Sequence, residues 1–132
     1  CFKQDTAVEM LNKRMAEYAQ AVCHGRPCFH ISLVQDVSPY CDCHSENDIP
    51  IIPDIGMFAS MDPVALDQAC LDACKKEHPI PNSILAENLK KAGLTDAGDP
   101  FINTSPDTEC DSCLSHAEKI GLGTRSYELV TI

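Results

Sequence analysis

Nine cysteines in a chain of 132 residues are the feature that most restricts how this sequence can fold. The number is odd, so intramolecular disulfides cannot pair all of them. A chain of this length also buries enough apolar surface to fold without covalent cross-links. Because free thiols in such number favour a reducing compartment, we predict a cytoplasmic protein whose clustered cysteines serve metal or redox chemistry. The competing prediction is a secreted domain in which disulfides pair eight of the nine thiols.

Charge and hydropathy exclude two classes of partner. Twenty Asp and Glu residues against ten Lys and Arg leave a formal net charge of −10. Such a chain repels phosphate backbones, and it has no basic stripe with interleaved aromatic residues, so we predict no nucleic-acid partner. Its apolar runs are only a few residues long, which predicts no membrane-spanning helix.

The first predicted helix has clear signals at both ends. Thr6 and Glu9 match the reciprocal capping box that begins many helices. Gly25 and Pro27 end the pattern, since glycine tolerates the left-handed cap and proline cannot continue a helix. Between them, apolar residues recur at helical spacing: Val8, Leu11, Met15, Tyr18 and Val22.

Other segments alternate between strand and helix signals. Strands are predicted over residues 28–34, 49–58 and 127–132. The second is predicted as an edge strand or an extended segment, because its two prolines lack the backbone N–H groups that pair with a neighbouring strand. Helices are predicted over 62–76, 83–92 and 109–120, the first beginning with Asp62 as N-cap and Pro63 at the first helical position. This alternation predicts a single α/β domain over residues 1–132, with a small sheet flanked by helices.

The densest cluster of soft metal ligands is Cys41-x-Cys43, with His44 beside it and His30 in the preceding predicted strand. Residues two apart on a flat strand lie about 6.6 Å apart. Two thiolates on one tetrahedral ion lie closer, about 3.8 Å apart, so the chain must bend to chelate. Two ligands do not complete a site, and His30 is the nearest candidate for a third. The alternative is a pair of loop thiols without a metal.

The remaining cysteines carry weaker signals. Cys110-x-x-Cys113 has a spacing that suits zinc or a thioredoxin-like redox couple, but no second C-x-x-C accompanies it. Cys70 and Cys74 lie one helical turn apart and are predicted to pack in the core, because free cysteine behaves as a small hydrophobic residue. Cys23 and Cys28 flank the Gly25–Pro27 turn, and nothing in the sequence selects them as ligands.

A different hypothesis is an enzyme that binds a small anionic metabolite beside the Cys41–Cys43 loop. In that case Asp54 or His44 would carry protons, and Asp54 and Asp62 are the candidate substrate-binding residues. The helix start at Asp62-Pro63 would supply backbone N–H groups able to hold an anion. No nucleophile elbow and no glycine-rich phosphate loop supports a more specific reaction.

Several segments together resemble one known family, catalogued as domain of unknown function 362 and often labelled uncharacterised iron–sulfur centre proteins. These segments are SPYCDCH at 38–44, PIIPDIGMFAS at 50–60, DPVALDQA at 62–69, RMAEYA at 14–19 and HAEKIGLG at 116–123. The resemblance implies that Cys41, Cys43 and His30 contact metal. The four-cysteine ferredoxin runs of the family are absent from this sequence.

The resemblance also implies a place in a larger protein. Family members are longer, so the chain is predicted to be the C-terminal portion of a protein whose N-terminal and ferredoxin-like parts are its partners. We expect a metal or iron–sulfur binding domain of a redox or electron-transfer protein, with an iron–sulfur cluster or a single iron or zinc ion as cofactor. A structural subdomain without its own chemistry is the remaining alternative, and it would expose an apolar patch and self-associate as a homo-oligomer.

Overall fold

The computed structural model describes residues 6–40, 44–45 and 47–132. These residues form five helices and a two-stranded antiparallel sheet. The helices are α1 (Ala7–Cys23), α2 (Pro63–Cys74), α3 (Ile84–Ala92), α4 (Pro100–Thr104) and α5 (Asp111–Lys119), and the strands are β1 (His30–Val34) and β2 (Gly56–Ser60). The predicted α/β class with a small sheet is thus confirmed.

Helix ends lie close to where the capping signals predict them. The Thr6 hydroxyl accepts the Glu9 N–H at 3.2 Å, and the Glu9 carboxylate accepts the Thr6 N–H at 2.6 Å, which completes the capping box of α1. Ser83 caps α3 in the same position, and Gly93 ends that helix in the left-handed conformation. Local sequence therefore determines both termini of α3.

One predicted strand is absent from the structure, and one helix of the structure was not predicted. Residues 127–132 form no strand, and their large apolar side chains remain exposed, because no neighbouring strand pairs with this segment. Helix α4, in contrast, lies between two predicted helices, in a segment for which no helix is predicted. Its N-terminus carries the same Asp-Pro signal as α2, since the Asp99 carboxylate accepts the N–H groups of Phe101 and Ile102 at 3.0 and 3.2 Å.

The described residues divide into two compact units. The first draws on residues 1–32, 58–69 and 109–132, and the second on 33–57 and 70–108. In the second unit the core contains Ile51 and Ile52 together with Leu85 and Leu89 of α3. The backbone of Ile51 bonds to Val37 and Ile80, which fixes the proline-flanked segment in place.

Helices α1 and α5 pack against each other in the first unit, and they run parallel. Asn12 near the start of α1 donates to the carbonyl of Glu109 and to the Ser112 hydroxyl. Gln20 near the end of α1 donates to the carbonyl of Ile120. Because both bonds join like ends of the two helices, their C-termini lie at the same end of the pair.

The apolar stripe of α1 lies on a different face from this contact. Leu11 and Tyr18 are 61% and 75% exposed, and Met15 and Val22 are exposed as well. The face that contacts α5 carries Asn12, Ala16 and Gln20 instead, and only Ala16 is buried. Helical periodicity predicts the helix correctly, but here its most apolar stripe is not the one that packs.

The C-terminal segment of the first unit is held against the start of α2. Asp62 accepts the N–H groups of Val64 and Ala65 at 2.9 and 3.0 Å through one carboxylate oxygen. Its other oxygen accepts the Thr124 N–H at 2.9 Å. Arg125 adds bonds of 2.7 Å each to Gln68 and Ser115.

Gly123 should not tolerate a larger residue. A Cβ at this position would lie 2.7 Å from Cγ of Asp62 and closer still to its Oδ1. Gly123→Ala should therefore displace the α2 cap and lower the free energy of unfolding by about 1–2 kcal/mol. Urea denaturation would measure the loss, with Ser126→Ala as a control expected to change stability by less than about 0.5 kcal/mol. An equal effect of both variants would contradict the proposed clash.

No helix in the described part of the chain is long and apolar enough to cross a membrane.

Candidate metal centre

A tight turn between α1 and β1 brings two thiols and an imidazole together. Cys23 is the last residue of α1, and Gly25 follows with a φ of +69°, a conformation that side chains rarely adopt. The Arg26 N–H donates to the Cys23 carbonyl at 3.1 Å, which closes the turn. The chain then passes Cys28 and enters β1 at His30.

The spacing of these three side chains suits one shared ion. One ligand atom from each of Cys23, Cys28 and His30 lies within 4.8 Å of the others. Two thiolates bound to one ion with bonds of about 2.3 Å can lie at most about 4.6 Å apart. The three donor atoms therefore need little movement to bind one metal ion, and the group is compatible with metal binding.

One ring nitrogen of His30 could bind a metal ion. Its Nε2 is buried and has no hydrogen-bond partner among the described residues. Buried polar atoms are nearly always hydrogen-bonded, because leaving one unpaired costs its full desolvation penalty of about 1–3 kcal/mol. A metal ion on this nitrogen would satisfy it.

Electrostatics near the thiols favour a cation. Burial raises the pKa of the Cys23 thiol above its ordinary value, and hydrogen bonding with Cys28 raises it further, against a smaller lowering by the Arg26 charge. Cys23 also lies at the negative end of the α1 dipole, and the last turn of that helix has no basic residue. The C-terminus of the parallel helix α5 lies at the same end, but the last turn of that helix carries His116 and Lys119. A metal ion would favour the thiolate form of these cysteines and would interact favourably with the negative end of the α1 dipole.

One acidic group of the same unit, Asp67, interacts with the charge of His30. The pKa of Asp67 is raised by desolvation, against a smaller lowering by the charge of His30. Desolvation likewise raises the pKa of Cys113, and the charges of Asp67 and Glu109 add to that effect. A raised pKa disfavours Cys113 itself as an attacking thiolate, and the redox role of the Cys110–Cys113 pair stays a prediction.

The predicted ligands stay predictions, and the structure describes the surroundings of only some of them. His30 lies in the three-residue group, whereas Cys41 and Cys43 fall outside the described residues, and their metal role stays a prediction. The ring of His44 lies 5.5 Å from that of Tyr40, tilted by 30°. Cys110 is the N-cap residue of α5, and Cys113 lies within that helix; both are outside the group.

The predicted substrate-binding carboxylates already hold backbone groups. Asp54 accepts the N–H of Asp36, a residue with a φ of +48°, at 2.9 Å. Asp62 accepts the N–H groups at the start of α2, which are the groups proposed to hold an anion. The role of both residues in substrate binding stays a prediction, and neither contact supplies evidence for it.

Sequence reasoning missed Cys23 and Cys28 as ligands. The signal for them is C-x4-C-x-H with a glycine two residues after the first cysteine, because that glycine lets the chain reverse and return the second thiol to the first. A spacing of four residues with one histidine is less specific than C-x-x-C, and only the closed turn shows that the three side chains meet.

Metal binding at this group should depend steeply on pH. Both thiols must lose a proton to ligate, and the pKa of Cys23 is raised, so protons compete with the metal at neutral pH. The affinity for Zn²⁺ should fall as the pH falls from 8 to 6, by up to about 100-fold per pH unit if each ion displaces two protons. Competition with a chromogenic chelator across this range would measure it. A pH-independent affinity would exclude thiolate ligands.

Comparison with known proteins gives a family match but no individual relative. The family model described as Domain of unknown function (DUF362) matches residues 2–72, which is more than half of the chain. The matched range contains the turn between α1 and β1 with all three candidate ligands. No curated protein and no solved structure matches the chain.

Proposed function

We propose that this chain, which belongs to the DUF362 family, is a metal-binding domain in which Cys23, Cys28 and His30 hold one transition-metal ion. The observation that supports this most strongly is the mutual approach of the three donor atoms to within 4.8 Å. Nε2 of His30 is buried without a hydrogen-bond partner among the described residues, and an ion bound to this nitrogen would satisfy it.

The chemistry of the donors narrows the choice of metal. Two thiolates and one imidazole form a soft, mixed set that suits zinc or iron and disfavours calcium and magnesium, which prefer oxygen ligands. A cluster held by four thiolates requires two more than this group contains. The group therefore favours a single ion of iron or zinc over an iron–sulfur cluster.

We also propose a redox role for the domain. Iron in this site would supply one-electron chemistry, which is the electron-transfer function that the family resemblance implies, whereas zinc has no redox chemistry. We propose that the domain acts within a longer cytoplasmic protein, whose other parts exchange electrons with it. The identity of the metal decides between this role and a structural one.

The test is metal analysis of protein purified without oxygen. We expect close to one iron or zinc per chain by elemental analysis, with thiolate-to-iron charge-transfer absorption if the metal is iron. Iron with that absorption would support the electron-transfer role, and colourless zinc protein would support a structural role. Protein that stays metal-free after incubation with either ion would contradict the proposal.

A further inference from the structure

A small cavity opens beside the candidate metal centre, at the shared C-terminal end of α1 and α5. It has a volume of about 200 Å³ and is lined by Gln20, Cys23, His24, Gly25, Gly121 and Leu122. Cys23 therefore belongs both to the cavity wall and to the group of candidate ligands. Space next to a metal ligand is where a further ligand of the ion can enter.

The donors that the described residues supply leave one position of a tetrahedral ion open. Zinc in a structural site has four protein ligands, whereas an open site has three and takes water or a small molecule in the fourth position. The described residues supply three donors at this place and no fourth within the same distance. A site of this kind binds a ligand as well as a metal.

We propose that the ion held by Cys23, Cys28 and His30 takes its fourth ligand from solution, through the cavity at Cys23. This inference rests on the metal-binding function proposed above. The ligand is a small molecule that offers one sulfur or nitrogen donor to the ion and a polar remainder to the cavity. Water occupies the position when that molecule is absent.

The size and lining of the cavity support this ligand class. Sites for drug-sized ligands measure about 300–1,000 Å³, so 200 Å³ suits a smaller molecule. The side chains of Gln20 and His24 make much of the wall polar. A long apolar ligand would cover these polar side chains and exclude water from them, which is costly.

Cobalt substitution tests the open position directly. Co²⁺ replaces zinc or iron in thiolate sites, and its visible bands report the ligands and their geometry. Titrating the Co²⁺-loaded chain with imidazole and with 2-mercaptoethanol should shift these bands to a saturating end point. Metal analysis after gel filtration would verify that the ion stays bound.

Filling the cavity should weaken this response. Leu122→Trp should raise the half-saturating concentration of both probes by about tenfold or more, equivalent to about 1.4 kcal/mol. Leu129→Trp is the matched control, since Leu129 is exposed and lies outside the cavity. Circular dichroism would show whether Leu122→Trp folds. If it does not, His24→Trp replaces it as the test variant, because His24 lines the cavity from an exposed position.

The outcomes separate this inference from the metal-binding proposal. A chain that binds Co²⁺ with bands unaffected by either probe overturns the inference and leaves metal binding intact. A second result would also overturn the inference and leave metal binding intact. In that result the intensity of the thiolate charge-transfer band corresponds to more than two thiolates, and it falls in a Cys41→Ser, Cys43→Ser variant. The protein itself would then supply the fourth ligand. A chain that binds no Co²⁺ overturns both.

Discussion

Cys23→Ser and Cys28→Ser should each lower the affinity of the chain for Zn²⁺ or Fe²⁺ by about 100-fold or more, and His30→Gln should do the same. Each variant removes one of only three described donors. Loss of an outer-shell partner already costs 10- to 100-fold, so loss of a direct ligand should exceed that. Competition titration with a chelator at pH 7.5 would measure the affinities.

Two further variants make this test specific. Cys110→Ser is the matched control, because Cys110 is also partly exposed and lies outside the group. Its affinity should equal that of the wild type. The Cys41→Ser, Cys43→Ser variant tests the ligands that the family resemblance implies. An affinity loss confined to that variant would place the metal elsewhere and contradict the role of Cys23 and Cys28.

Leu85→Ala should lower the free energy of unfolding by about 2–5 kcal/mol, because it leaves a cavity around a fully buried side chain. Leu11→Ala should cost less than about 0.5 kcal/mol, since Leu11 is exposed on the apolar stripe of α1. Both positions have the same residue type and lie in amphipathic helices, so burial alone distinguishes them. Urea denaturation followed by circular dichroism would measure both.

The Leu11 variant also tests what covers α1 in solution. If Leu11→Ala destabilises the protein as much as Leu85→Ala, the apolar stripe is buried against another surface. A homo-oligomer predicts this result together with a concentration-dependent stability, since association stabilises the folded state by mass action. Independence from protein concentration would indicate that the stripe is free.

Local signals predicted the helices better than the sheet. Thr6 with Glu9, and Ser83 with Gly93, satisfy orphan backbone groups within one turn, so sequence alone marks the ends of α1 and α3. A strand needs a partner that sequence does not identify. Residues 127–132 are rich in strand-forming residues but form no strand, because strand propensity reflects packing against neighbouring strands as well as the segment itself.

The candidate site was predictable only in part. His30 was a candidate because it lies in the predicted strand that precedes Cys41 and Cys43. Cys23 and Cys28 were not, because their proximity depends on the closure of a turn at Gly25, which places the end of a helix next to the start of a strand. The apolar stripe of α1 is a similar case. Periodicity predicts the helix, but it does not predict which face of the helix packs against a neighbour.

The role of Asp62 also required the three-dimensional structure. Sequence predicts it as a helix cap, and the cap is formed. The structure adds that the same carboxylate accepts the Thr124 N–H, 62 residues away in sequence. A contact across such a distance leaves no periodic or spacing signal.

Anomalous diffraction at the absorption edge of the bound metal tests the central claim most directly. Crystals of the metal-loaded chain should show one peak about 2.3 Å from the sulfurs of Cys23 and Cys28 and about 2.0–2.1 Å from a ring nitrogen of His30. A metal peak bonded to other residues, with Cys23 and Cys28 unliganded, would contradict the assignment of this turn as the metal centre.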